Sequence, residues 1–344
     1  MPTLESTPAQ PSHGGKVVVA LAGRLPEGGR DPVASRFPMV ELIRVADVGE
    51  VPEAARSAAV LLRARLSTSD LSKLLTSLPQ LTWLHSASAG LDHVLIPEVL
   101  ARNLLVTRTE MARAAPMAEF VLTASLALLK RLPELLASQR LKRWQRPAPG
   151  TLVGATVGVV GAGSIGRAVA KRFRAFDTRT IGIKATVKPL PEFDDVWGPD
   201  RLDELLREAD VVVLACPLTE ATRGLLGRRQ FELMKPGAIL VNVARGAVVV
   251  ESELVRALQN GEIGGAALDV FETEPLPGDS PLWELANVIV SPHSSSAGPA
   301  TWDAVVEEFL SKLELFVQGG RAALAPYGVP APGGVRLTPP PTSP

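Results

Sequence analysis

The sequence predicts an α/β protein of two doubly wound, parallel-sheet domains. Three observations carry this. Strand-like apolar runs alternate with helical patterns over residues 16–116, six more such runs follow from Thr156, and Val157–Gly166 takes a short buried strand through Gly-x-Gly-x-x-Gly into a helix. Segments of helical length, rather than tight turns, separate the apolar runs, so the strands they form are parallel and covered on both faces.

The glycine segment is the most informative. Gly161 suits a tight turn, Gly163 a close approach of backbone to a pyrophosphate, and Gly166 close packing of helix on strand. The helix, Ser164 to about Phe176, offers phosphates the unpaired N–H groups and partial positive charge of its N-terminus. A strand before the motif and a helix after it predict dinucleotide binding. The motif begins only at residue 157, so a different domain precedes it.

Earlier strands are expected at Val17–Ala22, Ala58–Leu62, Leu81–His85 and Leu104–Thr107, with a helix at Thr68–Ser77. Pro116 stands at the start of a long helix, Met117 to Trp144, which Pro133 kinks or divides. The second series places strands at 157–160, 180–184, 211–215, 238–243, 265–269 and 288–291. Helices at Leu202–Glu208 and Ser252–Asn260 lie between them, the latter followed by Gly261 as its stop. A last helix, Pro299 to Val317, crosses back to the first domain. The expected organisation is thus a tail (1–15), a substrate domain (16–116), a dinucleotide-binding domain (117–296), a returning helix (297–322) and a proline-rich tail (323–344). Two crossings between domains predict a hinged cleft, where ligands tend to bind.

Composition narrows the class. The 344 residues carry 46% apolar and 21% charged side chains, as in an ordinary globular protein of two domains. Lys+Arg (36) and Asp+Glu (36) balance, and without a basic run no nucleic-acid partner is expected. The sole cysteine, Cys216, excludes an internal disulfide and fits a reducing compartment. Residues 1–15 lack the apolar core of a secretory signal, and Phe120–Leu129 is too short to span a bilayer. A cytoplasmic protein without membrane contact is expected.

The chain resembles the D-isomer-specific 2-hydroxyacid dehydrogenases. The matching segments are Val157–Gly166, Leu214–Thr219, Val241–Gly246, Leu268–Pro275 and Ser291-Pro292-His293, in family order; Ser88–Asp92 and Ala118-Glu119-Phe120 match more loosely. The resemblance implies a Rossmann-like nucleotide domain inserted into a flavodoxin-like substrate domain, and a homodimer built on the long helix. It also implies hydride transfer between a nicotinamide cofactor and a small 2-keto or 2-hydroxy acid, with glyoxylate and hydroxypyruvate favoured.

Residue chemistry leads to the same reaction. Reducing a 2-keto acid needs a cation for carboxylate and carbonyl and a proton donor for the carbonyl oxygen. Arg245 follows a buried strand, at the carboxyl edge where such sheets bind ligands, and its planar fork holds a carboxylate bidentately. His293 also follows a strand and titrates near neutrality. The resemblance makes Glu274 its partner; a buried carboxylate on imidazole favours the charged ring. It further puts substrate on the backbone amides near Ala89 and Gly90, and the nicotinamide carboxamide on Asp269. Ser164, Ile165, Cys216, Pro217 and Ala244 line its cofactor site. His13, His85 and His93 are read as bystanders.

Two departures bear on specificity. An NAD site places Asp or Glu at the end of the second strand, about 20 residues past the glycines. Lys184 and Lys188 stand there instead, which attract a 2′-phosphate, so NADP(H) is expected over NAD(H). Met111 occupies a position where relatives commonly carry glycine, and its bulk is expected to alter the pocket. Two rival readings share the same motifs. One is a nucleotide-sensing corepressor, opposed by the missing acidic residue and the lack of an evident partner-binding extension. The other is an enzyme on another donor, such as formate or phosphite, or an NAD-dependent dehydrogenase of another 2-hydroxy acid. A formate site would want asparagine anchoring in the first domain, which is not found.

Overall fold

The computed structural model of the chain describes residues 16–23, 33 and 36–329. The expected N-terminal tail, His13 and the proline-rich segment from residue 330 lie outside the described residues. In chain order the strands and helices are β1 (Val17–Gly23), β2 (Val40–Val45), β3 (Val60–Ala64), α1 (Thr68–Ser77), β4 (Trp83–Ser86), α2 (Pro97–Ala101) and β5 (Leu105–Arg108). There follow α3 (Ala114–Leu129), α4 (Leu132–Arg140), β6 (Thr156–Val160), α5 (Ser164–Arg174), β7 (Arg179–Ile183), β8 (Asp195–Trp197), α6 (Leu202–Glu208) and β9 (Val211–Leu214). The chain closes with α7 (Arg228–Leu233), β10 (Ile239–Asn242), α8 (Glu251–Gln259), β11 (Gly265–Leu268), β12 (Val288–Val290) and α9 (Pro299–Leu324).

These elements form two compact units. One runs to Ala112 and resumes at Gly298; the other is Arg113–Ala297. The first holds a parallel sheet in the order β2-β1-β3-β4-β5, the flavodoxin-like arrangement. Alternate residues of its strands feed opposite cores. Leu61 and Leu84 join Leu71, Leu74 and Leu75 of α1, whereas Val60, Leu62 and Trp83 join Phe309, Leu313 and Phe316 of α9. Phe309 is fully buried, stacked on Trp83 with ring centroids 5.5 Å apart. The expected helix Thr68–Ser77 is α1; it starts where the Ser67 hydroxyl accepts the Asp70 N–H at 3.0 Å.

The second unit holds a parallel sheet in the order β12-β11-β10-β9-β6-β7-β8, the doubly wound order of a Rossmann-like domain with one strand added. Val157, Val159, Val211, Val213 and Val241 face α3 and α5. Val160, Val212, Leu214 and Leu240 face α6 and α8. Burial on both faces is why these strands read as unbroken apolar runs.

The helix expected over 117–144, which Pro133 was expected to kink or divide, is divided into α3 and α4: the chain breaks at Arg131, which takes a left-handed φ of 56°, and Pro133 sits in the first turn of α4. Other elements differ from the expectation. Trp144 lies beyond α4 and is 91% exposed. β2 and β8 were not expected from the sequence. Both are edge strands, and β2 exposes Glu41 and Arg44 to solvent, which interrupts its apolar pattern. α9 continues to Leu324, although Gly319 and Gly320 are non-helical within it, so its regular part ends near the expected Val317.

Truncating Phe309 to alanine empties the contact between α9 and the first sheet. The expected result is a loss of about 3–5 kcal/mol, read as a lower midpoint in urea unfolding.

Candidate active site

The glycine turn joins β6 to α5, and its three glycines meet three different demands. Gly161 has φ +107°, and a Cβ there would lie 2.6 Å from the Ala215 carbonyl carbon and the Cys216 nitrogen. At Gly166 a Cβ would meet the Gly161 oxygen at 2.2 Å. At Gly163 it would meet nothing within 4 Å, so what needs the bare backbone there is outside the fold. The Gly161 and Ala162 amides donate to the Ile183 carbonyl, at 3.1 and 3.0 Å, which ties the turn to β7. Arg167 N–H closes the first turn of α5 on the Gly163 carbonyl at 2.9 Å, so the amides before it point out of the helix end. Ser164 opens α5, and Ile165 packs partly buried behind the turn. The open space over Gly163, the helix end and the adjacent lysine fit a dinucleotide pyrophosphate.

Lys184 directly follows β7, half-buried, its Nζ donating to the Ala162 carbonyl at 3.3 Å. Burial first, then the charges of Lys188 and Arg167, lower its ammonium below the ordinary lysine value. Lys188 is exposed, and Arg167 is held bidentately by Glu192 at 2.8 and 3.0 Å. Cys216 is buried after β9 and burial pushes its thiol up to about 11, so it is a packing group and not a nucleophile. Pro217 is exposed and Ala244 buried, each just past the carboxyl end of its strand.

Arg245 lies in a loop that backbone contacts shape closely. The buried Asn242 at the end of β10 accepts the Ala244 N–H at 3.0 Å and donates to the Arg245 carbonyl at 3.2 Å. A Cβ on Gly246 would lie 1.9 Å from the Phe271 carbonyl carbon, so only glycine lets this loop pack on the segment that leads to Glu274. Glu251 and Glu272 exchange backbone-to-carboxylate bonds at 3.0 and 3.1 Å across the same junction. Arg245 Nη1 donates to the Ala244 carbonyl at 2.7 Å.

His293 and Glu274 come together. His293 Nδ1 is 2.8 Å from Glu274 Oε2, and Glu274 Oε1 accepts the Phe271 N–H at 3.1 Å. The Glu274–Pro275 peptide is cis. The carboxylate expected to be buried is 37% exposed and the imidazole 50%, because both project from loops at the carboxyl edge of the sheet. His293 itself adopts φ +53°, and Asp269 holds that turn: its Oδ1 accepts Ser291 Oγ at 2.6 Å and the Ser294 and Ser295 amides at 2.8 and 3.0 Å. The resemblance assigns Asp269 only a cofactor contact; its anchoring of the histidine turn joins residues far apart in sequence and was not expected.

In the first unit, Ala89 and Gly90 sit in a partly exposed turn after β4. The Ser88 amide is taken by Ser86 Oγ at 3.2 Å, and the Ala89 carbonyl accepts Arg108 Nη1 at 3.2 Å. Met111 exposes 68% of its surface. Its amide and those of Glu110 and Ala112 bind the Glu308 carboxylate at 2.8–3.1 Å. His85 is fully buried between the Thr107 and Thr109 hydroxyls, and burial lowers it well below the ordinary imidazole range, so it is a neutral packing group. Among the described residues no cluster of His, Cys, Asp or Glu suits a metal, and no helix is long and apolar enough to cross a membrane. A cavity lined by Gly154, Asp210 and Lys235 lies at the amino edge of the second sheet, away from the glycine turn.

Comparison with known proteins agrees with this geometry. Residues 122–295 match the model of the D-isomer specific 2-hydroxyacid dehydrogenase NAD binding domain. A glyoxylate reductase of Thermococcus gammatolerans is 38% identical over 250 residues, 70% of this chain and 75% of that protein. A D-isomer specific 2-hydroxyacid dehydrogenase from Xanthobacter autotrophicus, solved with NADPH and MES, superposes with a TM-score of 0.77 at 29% identity over 89% of this chain and 96% of that one. An NADPH-dependent glyoxylate/hydroxypyruvate reductase from Sinorhizobium meliloti, solved with NADP and sulfate, gives 0.75 at 26% identity over 87% and 95%. The chain belongs to the D-isomer-specific 2-hydroxyacid dehydrogenase family, oxidoreductases with a nicotinamide cofactor that act on small keto or hydroxy acids.

Two glycine variants separate fold from ligand. Gly161→Ala is expected to destabilise the protein measurably in thermal unfolding, through its positive φ and the Ala215 backbone. Gly163→Ala has no such clash and is expected to keep the wild-type melting temperature while losing cofactor affinity in a fluorescence titration.

Proposed function

We propose that this enzyme reduces a small 2-keto acid with NADPH, glyoxylate or hydroxypyruvate being the favoured substrates, to give the D-2-hydroxy acid. The observation that carries the cofactor choice is Lys184, placed 3.3 Å from the carbonyl of the glycine turn where an NAD site carries a carboxylate. Two solved relatives hold NADPH or NADP, and relatives that are glyoxylate reductases support the substrate class.

In this reading the second unit takes the dinucleotide over Gly161, Gly163, Ser164, Ile165 and Gly166. Cys216, Pro217, Ala244 and Asp269 bound its far side, and Lys184 and Lys188 meet the 2′-phosphate. When bound, the reduced nicotinamide supplies the hydride for the keto carbon. Arg245 binds carboxylate and carbonyl oxygen with its planar fork, and the Ala89 and Gly90 amides take the carboxylate. His293 Nε2 donates the proton to the carbonyl oxygen, because Nδ1 is engaged by Glu274 at 2.8 Å. Glu274 fixes the orientation of the ring. A homodimer accompanies this reading: Leu132, Leu135, Leu136, Leu141 and Trp144 are each at least 40% exposed on and after α4, an apolar face that a second copy would cover.

Four outcomes test the proposal. Wild-type enzyme oxidises NADPH in preference to NADH with glyoxylate or hydroxypyruvate, and Lys184→Asp shifts the preference towards NADH; tighter NADH binding by the wild type would sink the cofactor choice. His293→Ala loses about 10²–10⁴-fold in kcat, the usual worth of a positioned proton donor. Glu274→Ala lowers kcat, since the His293 ring loses the partner that orients it. Light scattering gives a dimer mass that Leu136→Glu lowers to that of a monomer.

A further inference from the structure

We propose that Arg113 is a positioning residue for the proton donor, acting through its hydrogen bond to Ser296. The inference rests on the assignment of His293 as that donor. Arg113 opens the second unit and Ser296 is its last residue but one. Arg113 Nη1 donates to Ser296 Oγ at 2.8 Å, so one bond joins the entry and the exit of this unit. Ser296 stands three residues after His293, in a segment with no regular secondary structure to fix it.

That segment is held at separate points by side chains. Glu274 holds the His293 ring, Asp269 Oδ1 holds the Ser294 and Ser295 amides, and Arg113 holds Ser296. Asp269 spans the histidine, taking the Ser291 hydroxyl before it and the Ser294 and Ser295 amides after it. Arg113 adds a hold one residue further on, at Ser296, beyond the reach of that carboxylate. The reach of the Arg113 guanidinium to Ser296 sets where the chain runs after the histidine.

The test is a double-mutant cycle on Arg113→Ala and Ser296→Ala, assayed with NADPH and glyoxylate. Each single variant is expected to lose about 10- to 100-fold in kcat, as misplaced reacting groups do, with KM for NADPH unchanged. The double variant is no worse than the more damaged single one, and Arg113→Lys recovers part of the rate. Ser296→Ala removes one hydroxyl and keeps the test decisive should Arg113→Ala fold poorly. Additive losses, or a normal kcat in Ser296→Ala, would overturn the inference. Full activity of His293→Ala would instead overturn the assignment of the donor, so the two failures are distinct.

Discussion

Burial of a parallel sheet on both faces is the constraint from which the rest of this structure follows. Apolar side chains of the second sheet divide between two cores, and the interior positions of β6, β9, β10 and β11 carry no polar side chain. Polar chemistry is displaced to the ends of the strands. Asn242 ends β10, Asp269 follows β11, Ser291 follows β12 and Lys184 follows β7, all at the carboxyl edge and all with their side chains hydrogen-bonded to neighbouring loops. The first sheet also ends β4 and β5 on Ser86 and Arg108, but it buries Arg63 within β3 and His85 within β4.

That edge carries a second burden, since chain leaving a strand has backbone groups that no ladder satisfies. Here carboxylates and amides meet them. Asp269 Oδ1 takes two amides and a hydroxyl, Glu274 takes the Phe271 amide, and Asn242 spans the Ala244–Arg245 loop. The groups that shape these loops are neighbours of those that project from them. Arg245 and His293 therefore stand on loops whose courses are set by hydrogen bonds, which holds them in place whatever they meet.

The sequence made legible whatever depends on local pattern. Six apolar runs of the second unit, the glycine turn and the Ser67–Asp70 helix start each announce themselves within ten residues. The edge strands β2 and β8 do not. β2 is interrupted by the exposed Glu41 and Arg44, and β8 opens on Asp195, so neither yields a continuous apolar run. The break at Arg131 was legible only through Pro133 two residues later, because a left-handed arginine leaves no compositional mark. Least legible were contacts between distant segments. Asp269 with Ser294, Arg113 with Ser296, and Glu308 with residues 110–112 depend on which strand ends the sheet order brings together, and no spacing in the chain encodes that.

Lys184 shows how a fold converts backbone geometry into electrostatic choice. The carbonyl of the preceding residue, Ile183, accepts both the Gly161 and the Ala162 amide, and the Lys184 amide itself donates to the Trp197 carbonyl of β8 at 3.0 Å. The backbone at 184 is thereby fixed from both sides against the turn, independently of the side chain it bears. Whatever charge stands at that position is delivered to the same place beside the helix N-terminus. A carboxylate there would accept hydrogen bonds from a ribose hydroxyl and repel a phosphate; an ammonium, already within a field of Lys188 and Arg167, does the reverse. The turn is common to both solutions, and the sign of one side chain separates them.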